Sequence, residues 1–235
     1  MDITTIGIDL AKNSFSLVGM NKHGKVLVRK TLSRKKLLPF IAQCPPCLIG
    51  MEACSGAHHW GREFSKLGHR VGIIAVKFIA PYRRGDKNDN NDAEAICEAV
   101  LRPNIWFVPI KTPDQQAVLC IHRVRQGLVR DRTRMMNQLR GLLSEFGIVM
   151  PRGCYLAQSA IGGILEDAEN GLPMMARGII DDLWQRIKQA NEHINGYDRE
   201  LSQLVKAEPT SISDVRRKYT PQCSKTSSSC TQMTE

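Results

Sequence analysis

The amino-acid sequence predicts an α/β fold over residues 1–110, a mixed sheet with flanking helices, followed by a long antiparallel helical hairpin of coiled-coil type over 111–206. Three observations lead to this reading. Short apolar runs that read as buried strands alternate with amphipathic stretches through the first part of the chain, as in domains where helices pack on a sheet. After Pro113 the apolar period changes to steps of three and four. Beyond Glu208 it disappears, and Ser and Thr dominate.

Residues 3–9, ITTIGID, read as a buried strand, and 14–20, SFSLVGM, as a second. Asn21-Lys22-His23-Gly24 supplies a turn with glycine where positive φ is needed. It leads into a third strand at 25–31. Ser33 is placed to cap a helix whose face is Leu37, Leu38, Phe40 and Ile41, ended by Pro45 and Pro46. A short strand at 47–51, a helix over His59–Leu67 stopped by Gly68, and a strand at Val71–Val76 follow. Strand, hairpin, helix, strand, helix, strand is the order of an RNase H-like fold. Residues 77–88, KFIAPYRRGDKN, form a basic connection expected to stay mobile until it meets a ligand. A helix runs from Asp89 to Leu101, Pro103 stops it, and Trp106–Pro109 is a short apolar piece.

The hairpin's first helix spans Pro113–Gly147, with an apolar seam expected at positions 117, 121, 124, 128, 135, 139, 142 and 146. A shorter helix is expected over 155–169. The returning helix covers 173–206, with Ile179, Leu183, Ile187, Ile194, Leu201 and Leu204 on its face. Residues 207–235 read as a disordered or out-of-frame tail.

Composition narrows the function. With 33 Lys+Arg against 23 Asp+Glu, the net charge is +10, which suits a polyanion partner such as nucleic acid. No run is long enough to span a bilayer, and MDITTIGIDL shows no secretory signal, so the chain is expected in the cytosol, with no membrane partner. Its 8 cysteines are then expected to be reduced. Cys44-Pro45-Pro46-Cys47 is a single CxxC without a paired second set, and reads as a Pro-rich turn rather than a zinc knuckle.

Four acids stand out. Asp9 and Glu52 each end an apolar strand, where an α/β sheet presents groups to a ligand. Asp89 and Asp92 lie three apart in the first turn of a helix and so face the same way. Helix capping would explain the second pair alone, but not the first. Together they suggest a catalytic set holding Mg²⁺ or Mn²⁺ for phosphodiester chemistry, because hard oxygen ligands suit such cations. Lys12, close to Asp9, and Arg83, Arg84 and Lys87, just before the Asp pair, are candidate phosphate contacts. Arg123, Arg125, Arg130 and Arg134 on the long helix are candidates as well, since arginine forks suit phosphate.

GIDLAKNSF, GMEACSGAHHW, KNDNNDAEAICEA and HRVRQGLVRDRTRMMNQLRGLLSEFGI resemble the insertion-sequence 110 family of transposases, and within it the 1111 subgroup. The resemblance runs in order over about residues 3–206. It implies a RuvC-like DEDD domain in which Asp9, Glu52, Asp89 and Asp92 bind divalent metal. It also implies site-specific DNA recombination on element ends and target, guided by a structured RNA; the helical hairpin is expected to serve nucleic-acid contact and dimerisation, giving a homo-oligomer. The family's C-terminal domain, with its nucleophilic serine, has no counterpart in the tail, so a truncated product is expected. Two other activities fit the residues: a non-catalytic DNA- or RNA-binding remnant that modulates full-length transposase, and a stand-alone RuvC-like nuclease. An inert product is a further possibility.

Overall fold

The computed structural model describes residues 2–83 and 89–207; of residues 89, 90, 154, 155 and 207 only the backbone is described. The sequence-predicted tail and the candidates Arg84 and Lys87 lie outside the described residues. The chain divides into two compact units, Met1–Thr112 and Pro113–Glu235.

The first unit is built on a six-stranded mixed sheet. Its strands are β1 (Thr5–Leu10), β2 (Ser14–Met20), β3 (Val26–Ser33), β4 (Leu48–Glu52), β5 (Arg70–Ile74) and β6 (Phe107–Val108), in the order β3-β2-β1-β4-β5-β6. β1, β2 and β3 form an antiparallel meander, while β1, β4 and β5 run parallel. The meander's turn follows from its residues. Asn21 Oδ1 accepts from the N–H groups of His23 and Lys25, each at 3.0 Å, and Gly24 takes φ +74°. The apolar piece before Pro109 becomes β6, which pairs antiparallel with the end of β5.

Helices cover both faces of this sheet. On one face, α1 (Arg34–Ala42) and α2 (Ala57–Lys66) pack Leu37, Ile41, Trp60 and Phe64 against Ile6, Ile8, Ile49 and Met51. Each fully buried side chain of this size contributes roughly 1.5–3 kcal/mol. Ser33 precedes α1 in extended conformation but makes no side-chain cap bond, and Pro39 lies inside the helix. Buried His69 ties the layers, with Nδ1 accepting the Cys47 N–H at 3.3 Å and Nε2 lying 3.2 Å from the Ile41 carbonyl.

On the other face lies α4 (Asp89–Val100), whose Ala93, Ile96, Cys97 and Val100 are buried. That spacing is one helical stripe. It requires glycine beneath it. A Cβ on Gly7 would meet the Ala93 carbonyl oxygen at 2.2 Å, and one on Gly50 would meet Ile96 at 2.9 Å. The segment expected to be a mobile connection is ordered over its first part. α3 (Val76–Ile79) and a 3-10 turn at Ala80–Tyr82 place Ile79, Phe78 and Tyr82 against Ala95, Ile96 and Val100. A four-residue helix is too short to show a period, so packing rather than pattern defines it.

The second unit contains α5 (Pro113–Ser144), α6 (Cys154–Glu166) and α7 (Met174–Ala207). α5 and α7 pack antiparallel: Val118 and Leu119 meet Leu201 and Leu204, Arg125 meets Asp198, Arg132 meets Asn191, and Leu139 and Leu143 share a core with Ile180 and Ile187. The expected apolar seam on α5 holds at Met135, Leu139 and Leu142 and fails at Val124 and Phe146. Its buried residues are Val118, Leu119, Met136, Leu139 and Leu143, whereas Val124 is exposed. Between the two apolar ends the helices are joined by polar pairs, which interrupts the apolar period. Arg177 closes the α6–α7 turn by donating to the carbonyls of Ile164, Leu165 and Leu172. Among the described residues, no helix is long and apolar enough to cross a membrane.

Candidate active site

Two of the predicted acids are neighbours because of strand register. β1 and β4 pair in parallel from Thr5↔Leu48 to Ile8↔Met51. One step on, Asp9 and Glu52 stand side by side at the carboxyl ends of adjacent strands, which lie about 4.8 Å apart. Side chains alternate along a strand, so Asp9 shares the face of Gly7, and Glu52 the face of Gly50. Both glycines lie under α4. The same helix therefore covers the face on which the two acids emerge.

Asp92 is carried by that helix, directly before Ala93, and is only 7% exposed. A carboxylate so buried needs a countercharge. Arg83 supplies it: its Nε lies 2.7 Å from Asp92 Oδ1, and its Nη2 lies 3.6 Å from Glu52 Oε2. The Nε–Oδ1 contact is close but not directed as a hydrogen bond, so both atoms are buried and held by charge alone. Position 89 lies one helical turn before Asp92, on the same stripe. The Asp89 side chain is outside the described residues.

Cys54 senses the local field. Its thiol pKa is pushed up to about 11, chiefly by burial, then by the negative charges of Glu52 and Asp9. Both carboxylates thus act on one point just beyond β4. The donors are hard oxygens, and the buried Asp92 Oδ1 lacks a hydrogen bond, which fits a hard divalent cation in kind. Among the described residues, no three His, Cys, Asp or Glu side chains are gathered closely enough to hold a metal.

The basic candidates separate. Lys12 is exposed in the turn after β1. Arg83, read from sequence as a phosphate contact, has its guanidinium on Glu52 and Asp92. Arg125, read the same way, holds Asp198 in a two-pronged pair, with Nη2–Oδ2 at 3.0 Å. Arg123 and Arg130 are exposed, as is Arg134, which is 3.3 Å from Asp131. Glu94 and Glu98 on the same helix are half-buried, and Glu94 pairs with Arg29 of β3. Among the cysteines, Cys47 and Cys97 are buried, whereas Cys120 is exposed. Sequence reading overlooked the glycines two residues before each strand acid, Gly7-x-Asp9 and Gly50-x-Glu52. That spacing was the available signal.

A mixed sheet with acids at its strand ends and on the helix covering them is consistent with an RNase H-like DEDD domain. The family model for the IS110-type DEDD transposases matches residues 6–148, and the chain belongs to that family. It is 45% identical over 200 residues to the transposase of insertion sequence element IS1328 from Yersinia enterocolitica, covering 85% of this chain and 59% of that protein. It is 40% identical over 209 residues to a probable family 20 transposase from Pseudomonas aeruginosa, covering 88% and 62%. It is 35% identical over 206 residues to the transposase of element IS1111A from Coxiella burnetii, covering 88% and 57%. The chain spans about three fifths of the length of these relatives.

Proposed function

We propose that this chain carries the acidic centre of an insertion-sequence transposase and acts on DNA with Mg²⁺ or Mn²⁺. Asp9, Glu52 and Asp92, with Asp89 one turn before it, would hold the cation. Bound there, the ion would stabilise the attacking and leaving oxygens of a phosphodiester. The protein's own part would be to present Asp9 and Glu52 from the ends of β1 and β4, and Asp92 from the helix that covers that face. The observation that carries this reading is the register of β1 and β4, which makes Asp9 and Glu52 neighbours on the face that α4 covers.

The net charge of +10 and the exposed Arg123 and Arg130 support a nucleic-acid partner, DNA and in addition a structured RNA. Mn²⁺ titration of the full chain tests the centre. Asp9→Asn and Asp92→Asn should each weaken binding by at least about tenfold. Equal Mn²⁺ affinity in parent and variants would overturn the assignment. A gel shift on element-end DNA with and without Mg²⁺ tests the substrate, and retention that ignores both the metal and Asp9 would count against it.

A further inference from the structure

Arg83 places a cation of the protein's own against two of the carboxylates that the proposed centre would use. Its guanidinium reaches Asp92 Oδ1 at 2.7 Å and Glu52 Oε2 at 3.6 Å. The Asp92 oxygen it occupies is buried. A divalent ion bound by the Asp92 and Glu52 carboxylates would lie within a few ångströms of this guanidinium, and two cations so close repel strongly. The Nε–Oδ1 contact is not directed as a hydrogen bond, so the attraction between these two atoms is mainly that of their charges.

We propose that Arg83 is a resident countercharge that competes with the divalent cation, so that metal binding requires Arg83 to leave Glu52 and Asp92. This rests on the metal reading above. In this role Arg83 is a positioning residue: it keeps Glu52 and Asp92 from repelling each other, and it raises the metal concentration needed to fill the centre. If the arginine occupies the carboxylates for about nine tenths of the time, the apparent metal affinity is about tenfold weaker than the intrinsic one.

The test is Mn²⁺ titration of the EDTA-treated full chain, read by the electron paramagnetic resonance of free Mn²⁺. Arg83→Gln should bind about tenfold more tightly than the parent. Arg83→Lys should fall between the two, because one ammonium cannot span both carboxylates. A residue that merely supported the fold would weaken binding when replaced. A folded Arg83→Gln variant with equal or weaker Mn²⁺ affinity therefore overturns the proposal. Should that variant unfold in EDTA, the parent chain itself decides. On Mg²⁺ addition the Nε–H resonance of Arg83 should move to the position of a free guanidinium, and an unmoved resonance at metal saturation overturns the proposal. Failure of the underlying metal reading looks different, since the parent chain then binds no Mn²⁺ at all.

Discussion

Adding one methyl group at Gly7 is expected to dislodge α4 and Asp92 with it. A Cβ there would lie 2.2 Å from the Ala93 carbonyl oxygen, 2.8 Å from the Cys97 nitrogen and 2.9 Å from the Cys97 sulfur. Two of these three atoms are main chain, so no side-chain rotation relieves the clash. Ordinary contact begins near 3.4 Å. The helix must therefore retreat by about 1 Å, which a close-packed interior resists. Overpacking of this kind costs about 1–3 kcal/mol, and a backbone obstacle places Gly7→Ala near about 3 kcal/mol. Asp92 adjoins Ala93, so the same retreat carries it away from the strand ends, and Mn²⁺ affinity should fall along with stability. Urea unfolding followed by circular dichroism gives the first quantity and Mn²⁺ titration the second. Gly127→Ala serves as the control. Its added methyl meets nothing within 4 Å, and alanine in a helix interior should gain up to about 1 kcal/mol. A Gly7→Ala chain within about 0.5 kcal/mol of the parent, with unchanged Mn²⁺ affinity, would refute the close approach of α4 to β1.

Two other outcomes concern the helical unit. Arg125→Ala should lower stability by about 1 kcal/mol through loss of the half-buried pair with Asp198, and leave DNA retention close to the parent's. Arg123→Ala with Arg130→Ala should do the reverse, and a gel shift beside a urea melt separates the two. His122 has its pKa held below the ordinary histidine value by burial first and by Arg125 second, with Asp198 opposing. The unfolded chain then binds the proton more readily, so stability should be lost as pH falls through the unfolded value near 6.5. Replacing His122 with Asn should flatten stability between about pH 5 and 7, measured by urea melts across that range.

Much of the first unit was legible because its central strands are short, nearly continuous apolar runs, as strands covered on both faces must be. β1, β2, β4 and β5 lie within a few residues of their predicted positions, and the acids at the ends of β1 and β4 were visible as acids ending apolar runs. What the residues could not show was partnership. β6 is two residues long and exists only through pairing with β5. α3 is ordered by contacts with α4 rather than by a period of its own. Arg83 and Arg125 belong to basic runs that look alike in sequence, yet both face carboxylates far along the chain. A charge run records how many arginines a surface carries, but which of them is neutralised within the fold is decided by tertiary packing. The seam of α5 was only partly legible for the same reason, since polar cross-helix pairs replace apolar contacts in its middle.

The spacing Gly-x-Asp on β1 and Gly-x-Glu on β4 joins the core and the acidic centre in one mechanical unit. Side chains two apart on a strand share a face, so the residue that admits the helix and the residue that meets a ligand are bound to the same side. The glycines let α4 sit against the sheet, and the acids emerge where the strands end. α4 contributes Asp92 from the turn just before its contact with Gly7. Its buried stripe of Ala93, Ile96, Cys97 and Val100 thus fixes the height of the Asp92 carboxylate above the strand ends. Burial also pushes the Cys97 thiol up to about 12, and its sulfur lies 3.1 Å from the Val18 carbonyl, so it sits as a neutral, hydrogen-bonded group in this stripe. Enlarging any residue of the stripe lifts the acid, whereas enlarging the opposite face, at Leu37 or Phe64, strains a different layer. Loss of stability and loss of cation binding should therefore rise together for substitutions under α4 and part company for those under α1 and α2. That contrast follows from the order of layers alone.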